Sequence, residues 1–308
     1  MSFKLLAKTL QGALGAAPPT RAVAVSLLTL MALSVPASAT PEAPAAPSRV
    51  VSMNLCTDQM AMLLAAPGQL IAVSDIATDP RVSSMADTAG RYHRHHGRAE
   101  EVHALDPDLV LAGRYTARAP VQMLQRLGIR VETFDIAGSL DDVRANLARM
   151  GELLGQRTRA AALIARFDAD LAALSTDDNP RIRAAMYAAN GYTTGRNSLS
   201  AEILAAAGLY NIAPDLGFPH GGAMPLEVLA MAAPQAIVTA QPYPGASRAE
   251  EILAHPVLRR LRTDTPTATM SDADWVCETP YVLRAIAELT EVRRAIADAS
   301  PDAAQEAP

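Results

Sequence analysis

Aromatic residues are scarce in this chain: Phe, Trp and Tyr make up 4% of 308 residues, and Trp275 is the lone tryptophan. The default role of each ring is packing, and with so few of them each is also a candidate ligand contact. Excess positive charge is missing too. The net charge is −5, which argues against nucleic acid as the main partner. No Gly-x-Ser-x-Gly, P-loop or His-Glu-x-x-His pattern occurs, and no Gly-x-Gly-x-x-Gly fingerprint. That removes the usual sequence signs of a hydrolase, a nucleotide-driven enzyme or a dinucleotide site. Internal repeats are absent. What is present is apolar: half the residues are hydrophobic and 19% are charged, enough for a sizeable core and against global disorder.

The N-terminus carries an export pattern. Lys4, Lys8 and Arg21 precede an apolar run from Ala22 to Val35, and Ala37-Ser38-Ala39 supplies small residues for cleavage before Thr40. Residues 1–39 are therefore expected to be a signal peptide. The run of about 14 residues is short for a membrane span, and an uncleaved anchor is the alternative. No Cys sits at the cut, which argues against a lipoprotein. Residues 40–48, rich in proline, read as a linker. Export would place the mature chain in an oxidising compartment. Its two cysteines, Cys56 and Cys277, each follow a predicted strand. A disulfide, two free thiols, and two soft ligands facing one cleft all remain open.

Between the termini, short β-rich runs alternate with helical ones. Strands are expected at 49–54, 70–74, 109–112, 130–134, 181–188, 236–239 and 267–271, and helices at 59–66, 100–105, 119–127, 199–207, 225–232, 249–254 and 281–297. This order implies parallel crossovers. Residues 75–98 read as a polar loop, densest at Arg91–Arg98, and the tail 298–308 as disordered. The centre is a stretch without proline carrying Val143, Leu147, Met150, Leu154, Ile164, Phe167, Leu171 and Leu174 at helical spacings. Ser139 with Asp142 offers a capped start, and Asn179-Pro180 lies past the end. A single helix over 139–175 would span roughly 50 Å. Gly151 and Gly155 are its weak points, and two helices with a break there are the alternative. The fold class is α/β: two lobes, 49–138 and 181–297, with mainly parallel central sheets flanked by helices and bridged by one long backbone α-helix.

Four segments resemble one family. RVVSMNL at residues 49–55 matches an opening strand. EEVHALDPDLVLA at 100–112 fits a Glu-x4-Leu-x-Pro-Asp-Leu-Val signature. PLEVL at 225–229 with PQAIV at 234–238 looks like its counterpart in the second lobe, and the long helix lies between. In this order the chain resembles the periplasmic solute-binding proteins of iron-complex and cobalamin ABC importers, over roughly residues 48–296. The resemblance implies a periplasmic, non-enzymatic, monomeric receptor. It would hold a metal chelate between two lobes and deliver it to an inner-membrane ABC permease, with no cofactor of its own. It places Glu100 and Glu227 as carboxylates that meet arginines on the permease, Glu101 leaving that register open by one. As plain first-turn glutamates, both are also what a helix dipole favours.

The ligand cleft is expected where loops leave the strand C-termini. Asn54, Cys56, Tyr92, His93, Arg114 and Tyr115 are its candidates in the first lobe, and Tyr192 and Trp275 in the second. The loops 190–194, 215–224 and 274–278 should line it. Arg114 suits an anionic chelate and Tyr115 an apolar face. Tyr92, His93, His95 and His96 could ligate a metal or form a solvated basic patch; no metal site is assigned. A Cys56–Cys277 bond would tether the lobes at the mouth. Ferric siderophore is placed first as ligand, cobalamin second and haem third. A bare manganese or zinc receptor, an enzyme and an adhesion module are the readings behind these.

Overall fold

The short apolar runs become strands of two parallel sheets. The computed structural model describes residues 45–174, 182–243, 245 and 247–299. The expected signal peptide, residues 40–44 of the linker, Asn179-Pro180, Arg181 and residues 300–308 of the tail lie outside them. The first lobe runs β1 (Val50–Ser52), α1 (Leu55–Leu64), β2 (Leu70–Ser74), α2 (Ala86–Ala89), β3 (His93–His95), α3 (Ala99–His103), β4 (Leu109–Gly113), α4 (Arg118–Arg126) and β5 (Val131–Phe134). Its sheet is parallel throughout, in the order β3-β2-β1-β4-β5. Central β4 is buried from Leu109 to Ala112, as helices on both faces require. The 75–98 segment is more ordered than its polarity predicts. It contains α2 and the edge strand β3, because Ala72–Ser74 of β2 offers His93–His95 a free edge to pair with.

The central stretch is not one rod. It folds as α5 (Leu140–Leu153) and α6 (Arg157–Leu174), packed back on each other as a hairpin. Ser139 caps α5, its hydroxyl accepting the Asp142 amide at 3.1 Å. Gly155 ends it with φ +69°, a conformation that costs any residue with a Cβ. The Gln156 amide reaches the Gly151 carbonyl at 2.6 Å and the Gly155 amide the Glu152 carbonyl at 3.1 Å, the paired bonds of a Schellman stop. Gly151 then lets α6 approach, since a Cβ there would stand 2.4 Å from that of Ala160. Arg144 of α5 bonds Asp168 of α6 at 2.6 Å and its guanidinium lies over Phe167, contacts a straight helix could not make. The expectation of one helix over 139–175 is thus corrected. Only α6, roughly 27 Å long, runs on toward the second lobe.

The second lobe runs β6 (Ile182–Met186), β7 (Tyr192–Thr193), α7 (Leu199–Ala206), β8 (Leu209–Asn211), β9 (Gly222–Ala223), α8 (Leu226–Ala232), β10 (Ala236–Ala240), α9 (Pro256–Asp264), β11 (Thr267–Met270) and α10 (Val282–Ala299). Its parallel sheet has the order β11-β10-β6-β8, and β7 pairs with β9 in a small antiparallel ribbon. β8 and α9 are additions to the elements that the sequence pattern predicts. One continuous core joins the lobes, from Val50 and Leu109 through Leu147, Met150 and Phe167 to Val238 and Ile286. Each such side chain contributes about 1.5–3 kcal/mol by burial, so separating the lobes at their base is expensive.

Candidate functional site

In each lobe the order of strands reverses beside the first strand, and the crevice at such a point opens at the strand C-termini. Those ends face one another across a cleft of about 490 Å³. Tyr115 and Ile136 wall it on the first lobe, residues 197–200 leading into α7 on the second, with Trp275, Val276 and Glu278 completing it. Tyr115 is 77% exposed, and Ile136 and Val276 are also open to solvent. Apolar side chains held in water at the mouth of a cleft are costly unless something covers them. A smaller pocket of about 270 Å³ lies alongside, between Pro80-Arg81 of the first lobe and Gln241–Tyr243, Ser271 and Asp272 of the second. The two share a polar wall. Asp272 accepts the Tyr243 hydroxyl at 2.5 Å on one oxygen and the Trp275 indole N–H at 3.0 Å on the other. Burial, with the bond to Asp272 second, pushes the Tyr243 phenol up to about 12, so it stays a neutral donor. The Arg81 guanidinium lies 5.2 Å from the centre of the Tyr243 ring.

Among the described residues, three contacts hold the lobes together beside this cleft. Cys56 and Cys277 are bonded as a disulfide, with Cα atoms 5.0 Å apart. Ser84 donates to the Ala273 carbonyl at 2.7 Å and the Asp274 carboxylate at 3.0 Å. Arg81 on Tyr243 is the third. α1 carries Cys56 because Asn54 caps that helix, its Oδ1 accepting the Cys56 amide at 3.0 Å. Gly113 at the end of β4 makes room for this cap, since a Cβ there would meet Asn54 Cγ at 2.8 Å. Asn54 is therefore engaged in holding the turn.

The remaining candidates scatter. Arg114 is exposed beside the cleft and bonds Asp135 at 2.9 Å. Tyr192 is exposed on the β7–β9 ribbon and lines neither pocket. Tyr92 is half-buried against the core and His93 points to solvent at the start of β3. The histidines do not converge. His95 is buried, with Nε2 donating to the Ser52 carbonyl at 2.8 Å and Nδ1 accepting the Gly97 amide at 3.0 Å. Both ring nitrogens are used, and burial lowers the imidazole's pKa, so it is a neutral structural post. His96 lies exposed beside Glu101, and Glu101 in turn accepts the His96 amide at 2.7 Å. Glu100 and Glu227 are exposed in the first turns of α3 and α8 and make no ion pair among the described residues.

Two acids carry no clear sign in the sequence. Asp58 lies fully buried under β2, accepting from the Ser74 hydroxyl and amide. Burial outweighs these bonds and lifts its carboxyl to about 8. Glu278 is 5% exposed yet lines the cleft, and burial raises its pKa as well. Its loop, 274–278, is expected to line the cleft, but the sequence carries no sign that the carboxyl would be buried.

Comparison with known proteins agrees with this geometry. A profile of the periplasmic binding protein family matches residues 50–263. A cobalamin-binding protein of Halobacterium salinarum (strain ATCC 29341 / DSM 671 / R1) is 32% identical over 174 residues, which is 55% of this chain and 47% of the relative. The chain spans about half the length of the curated relatives it matches. The periplasmic heme-binding protein RhuT from Roseiflexus sp. RS-1 superposes with a TM-score of 0.66 at 20% identity, over 81% of this chain and 99% of that one. The periplasmic vitamin B12 binding protein BtuF of Vibrio cholerae does so at 0.61 and 19%, over 81% and 98%. At such identities the likeness speaks for the fold. With a family profile covering most of its length and two parallel-sheet lobes around a cleft, the chain belongs to the periplasmic binding proteins.

Proposed function

We propose that this protein is the extracytoplasmic receptor of an ABC importer, a binder and not a catalyst. It takes up a metal chelate in the interlobe cleft and presents it to an inner-membrane permease. The observation that carries this reading is the cleft itself: exposed Tyr115, Ile136 and Val276 beside Trp275, between lobes joined by a disulfide. A chelate with a broad apolar face would cover them. Glu100 and Glu227, one exposed carboxylate per lobe, serve as docking points for arginines on the permease, where charge pairs give orientation and on-rate. The receptor acts as a monomer in the periplasm.

Cobalamin moves ahead of ferric siderophore as the cargo. The cations at the cleft are already bonded to carboxylates, Arg114 to Asp135 and Arg81 to Asp79. An anionic ferric catecholate would compete with those pairs, whereas a corrin brings apolar edges and amides. The cobalamin-binding relative supports the same order. Ferric siderophore stays second because Arg114 stands exposed at the rim, and haem third. A bare zinc or manganese cargo fits poorly, since His95 spends both nitrogens on backbone and His255 caps α9. Trp275, the lone tryptophan, makes the test direct: its fluorescence in the mature protein should quench saturably with cyanocobalamin. Quenching by a ferric siderophore or haemin alone would reverse the order. No response to any chelate, with tight binding of bare zinc, would refute the chelate reading.

A further inference from the structure

Glu278 is an expensive residue where it stands. Its side chain is 5% exposed, and burial raises its pKa against the single opposing pull of its own amide. It forms no ion pair with Arg, Lys or His among the described residues. Yet it is not core filler, because it lines the 490 Å³ cleft. Its backbone is held in place by the neighbouring Cys277–Cys56 bond. No other side chain hydrogen-bonds its carboxyl among the described residues. The Ser198 hydroxyl is spent capping α7 on the Ala201 amide at 3.2 Å and pairing with Thr194 at 2.5 Å. Arg114 and Arg81 are held by carboxylates of their own lobe. A buried carboxyl without a partner side chain is costly, and the cost falls when a donor arrives.

We propose that Glu278 selects the cargo, receiving hydrogen bonds from a chelate rimmed with carboxamides and rejecting chelates rimmed with carboxylates or other anionic oxygens. The inference rests on the cleft reading above and goes beyond it by naming the discriminating residue. An amide suits this carboxyl in either ionisation state. Its N–H donates to the ionised form, and its C=O accepts from the protonated one. A carboxylate or catecholate oxygen is repelled by the ionised form and has nothing to donate to it, whereas it can accept from the protonated form, so the discrimination belongs to the ionised state. Corrin side chains end in amides, whereas haem carries propionates. Discrimination of this kind is built by leaving a wrong partner with unpaired polar groups.

The test is calorimetric titration of the mature protein with cyanocobalamin, haemin and a ferric catecholate, using wild type, Glu278→Gln and Glu278→Leu. Wild type should bind cyanocobalamin and discriminate against both anionic chelates. Glu278→Gln, which keeps shape and hydrogen bonding, should cost about fivefold or less for cyanocobalamin and relax discrimination by about tenfold or more. Glu278→Leu should weaken cyanocobalamin by about tenfold to a hundredfold. Unchanged discrimination in Glu278→Gln overturns the inference while leaving the cleft reading standing, and it decides the matter should Glu278→Leu fail to fold. Wild-type preference for an anionic chelate overturns the inference, and binding of none of the three overturns the cleft reading with it.

Discussion

The disulfide between Cys56 and Cys277 closes a chain segment of 221 residues and links the two lobes, so removing it should show in stability more than in binding. The loop-entropy relation for a closure of that length gives about 5 kcal/mol at 25 °C. That is a large part of the 5–15 kcal/mol typical of a folded domain. With a urea slope of about 2–3 kcal/mol per M, the unfolding midpoint should fall by about 2 M. The perturbation is the Cys56→Ser/Cys277→Ser double variant, or wild type held in reductant, each compared with the oxidised protein. Chelate affinity should change much less, by under about tenfold. The shared core through Phe167, the Ser84 bonds and Arg81 on Tyr243 still hold the cleft. A midpoint within about 0.3 M of the oxidised protein would refute the restraint argument. Alkylation of both cysteines without prior reduction would deny the bond itself.

Other outcomes follow from single positions. Asp58, lifted to about 8, keeps its proton in the fold and loses it on unfolding, so its contribution is full at low pH and lost as pH rises toward 8. The stability of Asp58→Asn minus that of wild type should climb by about 1.4 kcal/mol per pH unit between about pH 5 and 7, and urea unfolding giving a flat difference would contradict this. Gly155→Ala should cost about 1–2 kcal/mol for its left-handed backbone, and Gly151→Ala a comparable amount through the clash with Ala160, both read by thermal melts. Glu100→Ala with Glu227→Ala should leave chelate binding intact while weakening permease-dependent uptake by about tenfold or more, in a salt-sensitive way. Met231→Asp should act similarly, because Met231 is 79% exposed one helical turn after Glu227; normal uptake in both would exclude this docking face.

Strands such as β4 and β10 were legible because parallel sheets covered on both faces demand unbroken apolar runs. The break at Gly155 stood only as the alternative to one helix, and the reversal of the chain there was not legible. Leu147, Met150, Leu154, Ile164 and Phe167 keep helical spacing on both sides of Gly155, and a hairpin buries the same faces as a rod would. Periodicity says which face is covered, not whether the axis reverses; the left-handed turn at Gly155 decides that. Tyr115 could be placed because it closely follows β4, whereas Trp275 lies beyond a turn after β11 and was placed by the family resemblance. His95 could not, because burial under a strand edge turns a residue of metal-ligand type into a backbone post. Glu278 sits in the loop 274–278 that was expected to line the cleft, but its burial and that of Asp58 were not legible, since both depend on long-range neighbours.

The central claim is that cargo sits between the lobes and touches both. Hydrogen–deuterium exchange of the mature protein with and without saturating cyanocobalamin tests it most directly. Protection should appear together around Tyr115 and Ile136 in the first lobe and at residues 197–200 and 275–278 in the second. Saturation with protection confined to one lobe, or found only on the β7–β9 ribbon or at β3, would contradict it.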